Sequence, residues 1–415
     1  MAKTITNLIE IANKIIAEGP ICDNCLGRQF AKLGTGLTNK ERGASLKIVL
    51  SMINDACNIP KSEIINPQSK CWVCNGLFED LNVWANKVIK ALEDYEYNTF
   101  LIGTRMTGLL SENEEIIVAE SGTTYSEPLK SELNREVGKL VQEVTKKEVD
   151  FKKPDIVALL DLENNIVELQ VSSLYIYGRY KKLVRGIPQT RWHCRYCRGE
   201  GCEECNFTGK LYKESVDELI REPVILACKC IDTVFHGAGR EDVDALMLGS
   251  GRPFIIEVKS PKIRNIDLDK LKDDINNYAK NKIKVSEFSY VEKDQVKFIK
   301  SLKTDKVYRV KVSFSSAQIV EEDKLKDSLD KLCGTINQQT PSRVLHRHSD
   351  KIRKKKVYSA SLEKIENNNA IIIINCESGL YVKELIDSDN GRTTPSFSEL
   401  IGIPAKVIEL DAIKA

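Results

Sequence analysis

Phe235-His-Gly-Ala-Gly-Arg-Glu-Asp-Val-Asp-Ala-Leu-Met-Leu-Gly-Ser-Gly-Arg-Pro-Phe254 places four glycines, three carboxylates and two arginines within twenty residues. Few apolar groups remain to build a helix or strand, so the composition predicts a shaped loop. Gly237 and Gly239 predict a tight bend that lets the backbone approach a ligand, because glycine adopts angles other residues resist. Arg240 stands two positions before Asp242 and can pair with it, keeping the carboxylate ionised and oriented. A positioned, ionised aspartate is a nucleophile or a base. Taken alone, the same residues also describe a solvated acidic turn with a surface ion pair.

Beyond this loop, Pro253–Lys259 reads as a strand, and residues 216–221 before it read as helical. Val307-Tyr-Arg-Val-Lys-Val-Ser-Phe314 alternates strictly, which puts Tyr308, Val310, Val312 and Phe314 on one face. Residues 338–356 carry seven lysines and arginines against one aspartate. Arg343, His346 and Arg347 fall among apolar residues there, a pattern suited to a structured phosphate-gripping loop as well as to a solvated face. Residues 370–375 form a buried-looking strand, and Arg392 lies in a second Gly, Arg and Pro loop, Asp389–Ser396, able to bind phosphate or frame a cleft.

Towards the N-terminus, residues 174–185 interleave tyrosines with basic residues. Tyr177, Arg179, Tyr180, Lys181, Lys182 and Arg185 could stack on bases and contact phosphates together, or form a strand end packed inward. Residues 78–190 alternate helix-like and strand-like segments, the rhythm of a small α/β domain. The first fifty residues read as helical, with Ile5, Leu8, Ile9, Ile11, Ile15 and Ile16 near helical spacing. Cys22-Asp-Asn-Cys25 and Cys71-Trp-Val-Cys74 can each chelate from a tight turn, and together they can complete a tetrahedral four-cysteine zinc site with no position open for catalysis; two unrelated buried pairs are the alternative. Cys194, Cys197, Cys202 and Cys205 can close round a second zinc, although the short spacing between the pairs is tight for that geometry; a reduced, metal-free loop is the alternative. The units predicted are a helical zinc-binding region (1–77), a small α/β domain (78–190), a four-cysteine knuckle (191–214) and a C-terminal domain that carries the glycine-rich loop (215–415); the resemblance below implies RNA binding for the second and catalysis for the last.

The chain has 415 residues, 42% of them hydrophobic and 29% charged, which describes a globular protein of several domains. Its net charge of +2 leaves any affinity for nucleic acid to local patches. No apolar run is long enough to span a membrane, the N-terminus lacks the apolar core of a signal peptide, and thirteen cysteines is an odd number for a disulfide framework. The expectation is a cytoplasmic protein without membrane association and with no obligate protein partner evident.

Phe-His-Gly-Ala-Gly-Arg-Glu-Asp-Val-Asp, Gln-Thr-Pro-Ser-Arg-Val-Leu-His-Arg and Asp-Asn-Gly-Arg-Thr-Thr-Pro-Ser resemble motifs of the archaeal and eukaryotic tRNA pseudouridine synthases that carry an N-terminal zinc-bearing THUMP domain. Tyr175-Ile-Tyr-Gly-Arg-Tyr-Lys-Lys-Leu-Val-Arg-Gly-Ile-Pro-Gln-Thr resembles the stretch before their cysteine knuckle. The resemblance covers nearly the whole chain. It implies an α+β protein, a THUMP-like domain and knuckle followed by a catalytic domain on a mixed, mainly antiparallel sheet with a central cleft. It implies isomerisation of uridines 54 and/or 55 in the tRNA T-loop, with Asp242 as nucleophile or base. Arg240 would pair with Asp242 or fill the gap left by the flipped base, Tyr308 would stack on uracil, and Lys383, from a strand at Gly379–Lys383, would hold Asp242 ionised. Zinc would be structural and no organic cofactor is needed. The alternative is a non-catalytic, zinc-stabilised tRNA-binding or assembly protein. A methyltransferase would require a glycine-rich cofactor loop between strand and helix, and the loop here opens onto carboxylates.

Overall fold

The computed structural model describes residues 2–58, 69–106, 108–302, 304–315, 321–346, 349–366 and 369–414. These form two compact units, Met1–Ser172 and Ser173–Ala415.

The first unit contains helices α1 (Ala2–Ala17), α2 (Asp23–Gly27), α3 (Asn39–Ala56), α4 (Leu81–Leu92), α5 (Leu109–Ser121) and α6 (Leu129–Thr145). Its strands are β1 (Thr99–Arg105), β2 (Glu148–Val149), β3 (Ile156–Asp161) and β4 (Ile166–Val171), in the order β2-β1-β3-β4. Helical spacing gives α4 and α6 one apolar stripe each. Trp84, Val88, Leu92, Leu133, Val137 and Val141 bury there in one core with Phe100, Ile102, Ile156 and Leu160. β3 and β4 form an antiparallel pair.

The second unit opens with β5 (Leu174–Lys182), then α7 (Val216–Cys228), β6 (Asp232–Gly237), β7 (Leu246–Lys259), α8 (Leu268–Tyr278), β8 (Ile283–Tyr290), α9 (Asp294–Ser301) and β9 (Lys306–Phe314). It continues with α10 (Glu322–Leu332), β10 (Gly334–Gln339), β11 (Ile352–Glu366), β12 (Asn369–Cys376), α11 (Val382–Asp387), β13 (Thr393–Thr394), α12 (Phe397–Ile401) and β14 (Ala405–Lys414). Ten strands make one sheet in the order β13-β10-β11-β12-β9-β14-β7-β5-β8, with β6 paired to β7. The β14–β7 pairing is parallel and the others are antiparallel.

Several expectations change. The predicted boundary at residue 190 falls instead between Ser172 and Ser173, because residues 174–182 pair with β7 and β8 as an interior strand of the second unit. Only the middle of the glycine-rich stretch, residues 238–245, is a loop; Phe235, His236 and Gly237 end β6, and from Leu246 onward the chain is a 14-residue strand. Gly249 bends that strand with φ +58, and a Cβ there would sit 1.8 Å from the Ile413 carbonyl oxygen, so the approach of β14 requires glycine. Lys383 lies in the first turn of α11, not in a strand. The basic run from Ile352 onward is part of β11. On β9 the predicted alternation is present: Val310 and Val312 are buried, with Tyr308 and Phe314 packed against the same core.

Candidate active site

The loop between β6 and β7 is fixed from beneath by buried polar groups. Gly239 turns it with φ +76, the left-handed region that favours glycine. The Glu241 side chain is 2% exposed and receives Arg252 Nε at 2.8 Å. Tyr180 donates its hydroxyl to Glu241 at 2.8 Å, and Gln189 Nε2 donates to Tyr180 at 2.7 Å and to the Gly239 carbonyl at 2.9 Å. Arg252 Nη1 donates to the Ala238 carbonyl at 2.8 Å. Lys182 Nζ donates to three backbone carbonyls, of Ile187 at 3.1 Å, Asp242 at 3.0 Å and Val243 at 3.2 Å. A buried ammonium is tolerated when its donors are used and a carboxylate is near, here Glu241 at 4.0 Å. Burial nonetheless pulls the Lys182 pKa down, against the opposing pull of Glu241.

These contacts overturn the RNA-facing reading of Tyr180 and Lys182, both fully buried. Strand alternation in a sheet covered on both faces turns them into the core. Arg179 is spent on the Ser250 and Gly251 carbonyls, and Arg185 on the Asp244 and Leu410 carbonyls and Asp411. Tyr177 and Lys181 are half-buried on the same strand.

Above this support Asp242 faces a cleft, its side chain 35% exposed. Lys383 Nζ lies 3.4 Å from Asp242 Oδ2, and Arg343 Nη2 lies 3.7 Å from the same oxygen. Lys383 is shared: it donates to Asp244 at 2.8 and 3.0 Å. Burial acts to raise the Asp244 pKa, but the Lys383 bond and charge leave it lower than usual. Arg343 is oriented by Glu384, which accepts from its Nε at 2.6 Å, and its guanidinium lies 5.9 Å from the Tyr381 ring centroid. Arg240, the expected partner of Asp242, is instead exposed at the mouth and has no ion pair among the described residues.

The cleft has a volume of about 290 Å³, and Tyr308, Lys306, Leu380 and Ala412 line it together with Asp242 and Lys383. Burial first, and then the charges of Cys376, Asp242 and Glu241, push the Tyr308 hydroxyl up to about 12, so it stays protonated. Burial, reinforced by Arg252 and Arg179, brings Lys306 down to about 8. A second pocket of about 290 Å³ adjoins at Arg240, Asp242, Arg343 and Lys383, with Trp192, Arg195 and His346 in its wall. A carboxylate between two cations, beside a protonated phenol, can serve as base or nucleophile towards a group held in the cleft.

Not every expected residue gathers here. Arg392 is tied to the Thr340 carbonyl and Asp350 and lines neither pocket. Arg347 lies outside the described residues. Lys306, Glu241, Arg252 and Gln189 were not singled out from the sequence. Lys306 carried a usable signal, since it precedes Tyr308 by two positions and a strand therefore turns both to one face.

The four sulfur atoms of Cys22, Cys25, Cys71 and Cys74 all lie within 4.8 Å of one another, as do those of Cys194, Cys197, Cys202 and Cys205. Bonds of ~2.3 Å from sulfur to a tetrahedral zinc require sulfur–sulfur edges of roughly 3.8 Å. The observed separations include 3.7 Å for Cys22–Cys74, and 3.9, 3.8 and 3.7 Å for Cys194–Cys202, Cys197–Cys205 and Cys202–Cys205. Both sets fit such an ion, and the second does so despite its short spacing, because turns at Gly199 and Gly201 fold the pairs together. Arg28 Nη1 donates to Cys25 Sγ at 3.1 Å, so a buried cation offsets part of a thiolate cluster's charge.

Residues 175–415 match the family model described as "Pus10, C-terminal". A protein of Methanothrix thermoacetophila named tRNA pseudouridine synthase Pus10 is 47% identical over 98% of this chain and 94% of its own length. The chain belongs to the Pus10 family. Relatives of the same name from Halorubrum lacusprofundi and Methanocaldococcus jannaschii are each 41% identical, covering 98% of this chain and 96% and 94% of their own lengths. Residues 84–161 match the archaeal Pus10 THUMP domain, a range that takes in β1, β2 and β3, α5, α6 and most of α4, and that ends before β4. The C-terminal match begins within β5, in agreement with the break after Ser172.

Proposed function

We propose that this chain is a tRNA pseudouridine synthase that isomerises uridine 54 and/or 55 of the T-loop through Asp242. The observation that carries the reading is the half-exposed Asp242 carboxylate, 3.4 Å from Lys383 and 3.7 Å from Arg343, opening onto the cleft that Tyr308 lines. The names of the Pus10 relatives supply the reaction class. A base stacked in a folded RNA is out of reach, so the target uridine is extruded into the cleft, where Tyr308 stacks on it. Arg240, exposed at the mouth, takes the space the base leaves or a neighbouring phosphate, and Arg343 and His346 take phosphates of the T-arm.

The reaction breaks the bond from uracil N1 to ribose C1′ and forms one from C5 to C1′, with the C5 proton moving to N1. Atoms balance without a donor, an oxidant or an organic cofactor. A single carboxylate has two routes to that end, attack at uracil C6 or removal of a ribose proton, and either gains from cations that keep Asp242 ionised. Zinc in the two four-cysteine sites stabilises the surrounding fold, since four thiolates leave no open coordination position. Eight cysteines held as zinc thiolates and five outside both sites, none of them in a disulfide, suit the reducing cytoplasm.

The test incubates purified protein with an unmodified tRNA transcript and maps pseudouridine chemically. Product is expected without added cofactor, and Asp242→Ala should abolish it while retaining tRNA binding. A wild-type protein that binds tRNA yet forms no pseudouridine would leave only the non-catalytic binding protein.

A further inference from the structure

The second cysteine knuckle shows features that holding a metal does not require. Phe207 is 74% exposed and Tyr196 77% exposed, two large rings presented to solvent on one small knuckle. Phe207 also has φ +59, a left-handed conformation that is an outlier for a bulky side chain. The turn is held there by the Phe207 N–H donating to the Cys202 carbonyl at 2.8 Å. Backbone strain and the exposure of an apolar ring both cost stability, so an alternative residue such as glycine would suit the fold alone better. Arg195 and Arg198 stand one and two positions from Tyr196, and Lys213 lines the same pocket as Tyr196; all three are exposed and have no ion pair among the described residues. The knuckle is also continuous with the catalytic cleft. Arg195 lines both the pocket containing Asp242 and a larger one of about 490 Å³ on the knuckle itself, where Tyr196 also lies. Trp192, in the wall of the former, packs edge-on against Tyr212 of the latter with centroids 5.5 Å apart.

We propose that the knuckle is a second RNA-binding element, which stacks unpaired bases on Tyr196 and Phe207 and guides the adjoining backbone past Arg195 towards the cleft. Aromatic faces accept any unpaired base, and neighbouring cations contact its phosphates, which is the combination used on single-stranded segments. A base-paired helix offers no free face to these rings, so the ligand is an unpaired stretch of the same tRNA. This inference rests on the proposed tRNA substrate but not on Asp242 chemistry.

The experiment compares full-length wild type, Tyr196→Ser and Phe207→Gly for affinity to an unmodified tRNA transcript and to a perfectly paired RNA duplex, for pseudouridine formation, and for zinc content. Stacking energies predict roughly 5- to 150-fold weaker tRNA binding for each variant. The KM for the transcript should rise by the same factor, with duplex affinity and zinc content unchanged. Phe207→Gly is the sharper probe: glycine relieves the left-handed backbone, so the knuckle should be at least as stable as in wild type while tRNA affinity falls. Phe207→Trp restores a ring and should recover affinity. Zinc-replete variants that bind tRNA within twofold of wild type would overturn the proposal, including the case in which the rings serve a protein partner. The two readings fail separately: a wild type that forms no pseudouridine, yet loses tRNA affinity in these variants, keeps the knuckle proposal and removes the isomerase.

Discussion

Replacing Lys182 with Met keeps the length of the side chain and removes its charge and all three donors. The carbonyls of Ile187, Asp242 and Val243 then lose a partner in a buried site. At a net ~0.5–1.5 kcal/mol per hydrogen bond, three bonds amount to roughly 2–4 kcal/mol. The lower half of that range applies, because burial already depresses the Lys182 pKa and Met escapes that desolvation cost. Glu241 keeps Arg252 and Tyr180, so no carboxylate is stranded. A loss of ~2–3 kcal/mol lowers the melting temperature of a unit of this size by roughly 5–10 °C. Because two of the freed carbonyls belong to Asp242 and its neighbour, kcat should fall as the carboxylate loses its orientation, by about 10-fold or more. Calorimetry with thermal unfolding monitored by circular dichroism, single-turnover pseudouridine formation and a tRNA binding curve read the three quantities. A Lys182→Met protein with an unchanged melting temperature and kcat but tenfold weaker tRNA binding would refute the reasoning and return Lys182 to the RNA surface.

Asp244→Asn removes the nearer partner of Lys383 and leaves that ammonium to Asp242, so activity should drop by no more than about 10-fold, against the 10²–10⁴-fold expected of a lost general base at Asp242. Equal loss in both variants, measured as kcat/KM on one transcript, would move the catalytic role to Asp244. Serine at Cys22 and Cys25 should remove about one zinc per chain, along with soluble yield, by metal analysis of purified protein; an unchanged zinc content would refute the site. Asp217 has its carboxyl pushed up to about 6 by burial, against the pull of Arg191. Its folded pKa exceeds the unfolded value, so its contribution to stability is complete below about pH 4 and is lost as pH rises through 6. Asp217→Asn abolishes that dependence, and its stability relative to wild type should improve by roughly 2–3 kcal/mol between pH 4 and pH 7 in denaturant titrations. A pH-independent difference would show that Asp217 is not buried as observed.

What could be read from the sequence divides along one physical line. Chemistry carried by residue type and close spacing was legible: four thiols in two turns, a carboxylate beside a glycine bend, the two-residue alternation that brings Tyr308 onto a core face. Burial was not, because it depends on strands far away in the chain. Tyr180 and Lys182 show the consequence. An aromatic and a lysine next to arginines have the composition of an RNA-binding surface, but β7 and β8 flank this strand on either side, and the polar ends of both side chains serve the loop carrying Asp242. Arg240 shows the converse. Its spacing from Asp242 suggested an ion pair, yet the cations that reach this carboxylate come from Arg343 and Lys383, about one hundred residues and more beyond it in sequence. Local sequence names the groups able to do the chemistry, and the sheet order decides which of them hold the site and which are left free to meet a ligand. By that criterion Arg240, released from Asp242 and exposed at the mouth, is a stronger candidate for contact with substrate than the pairing read from its spacing would make it.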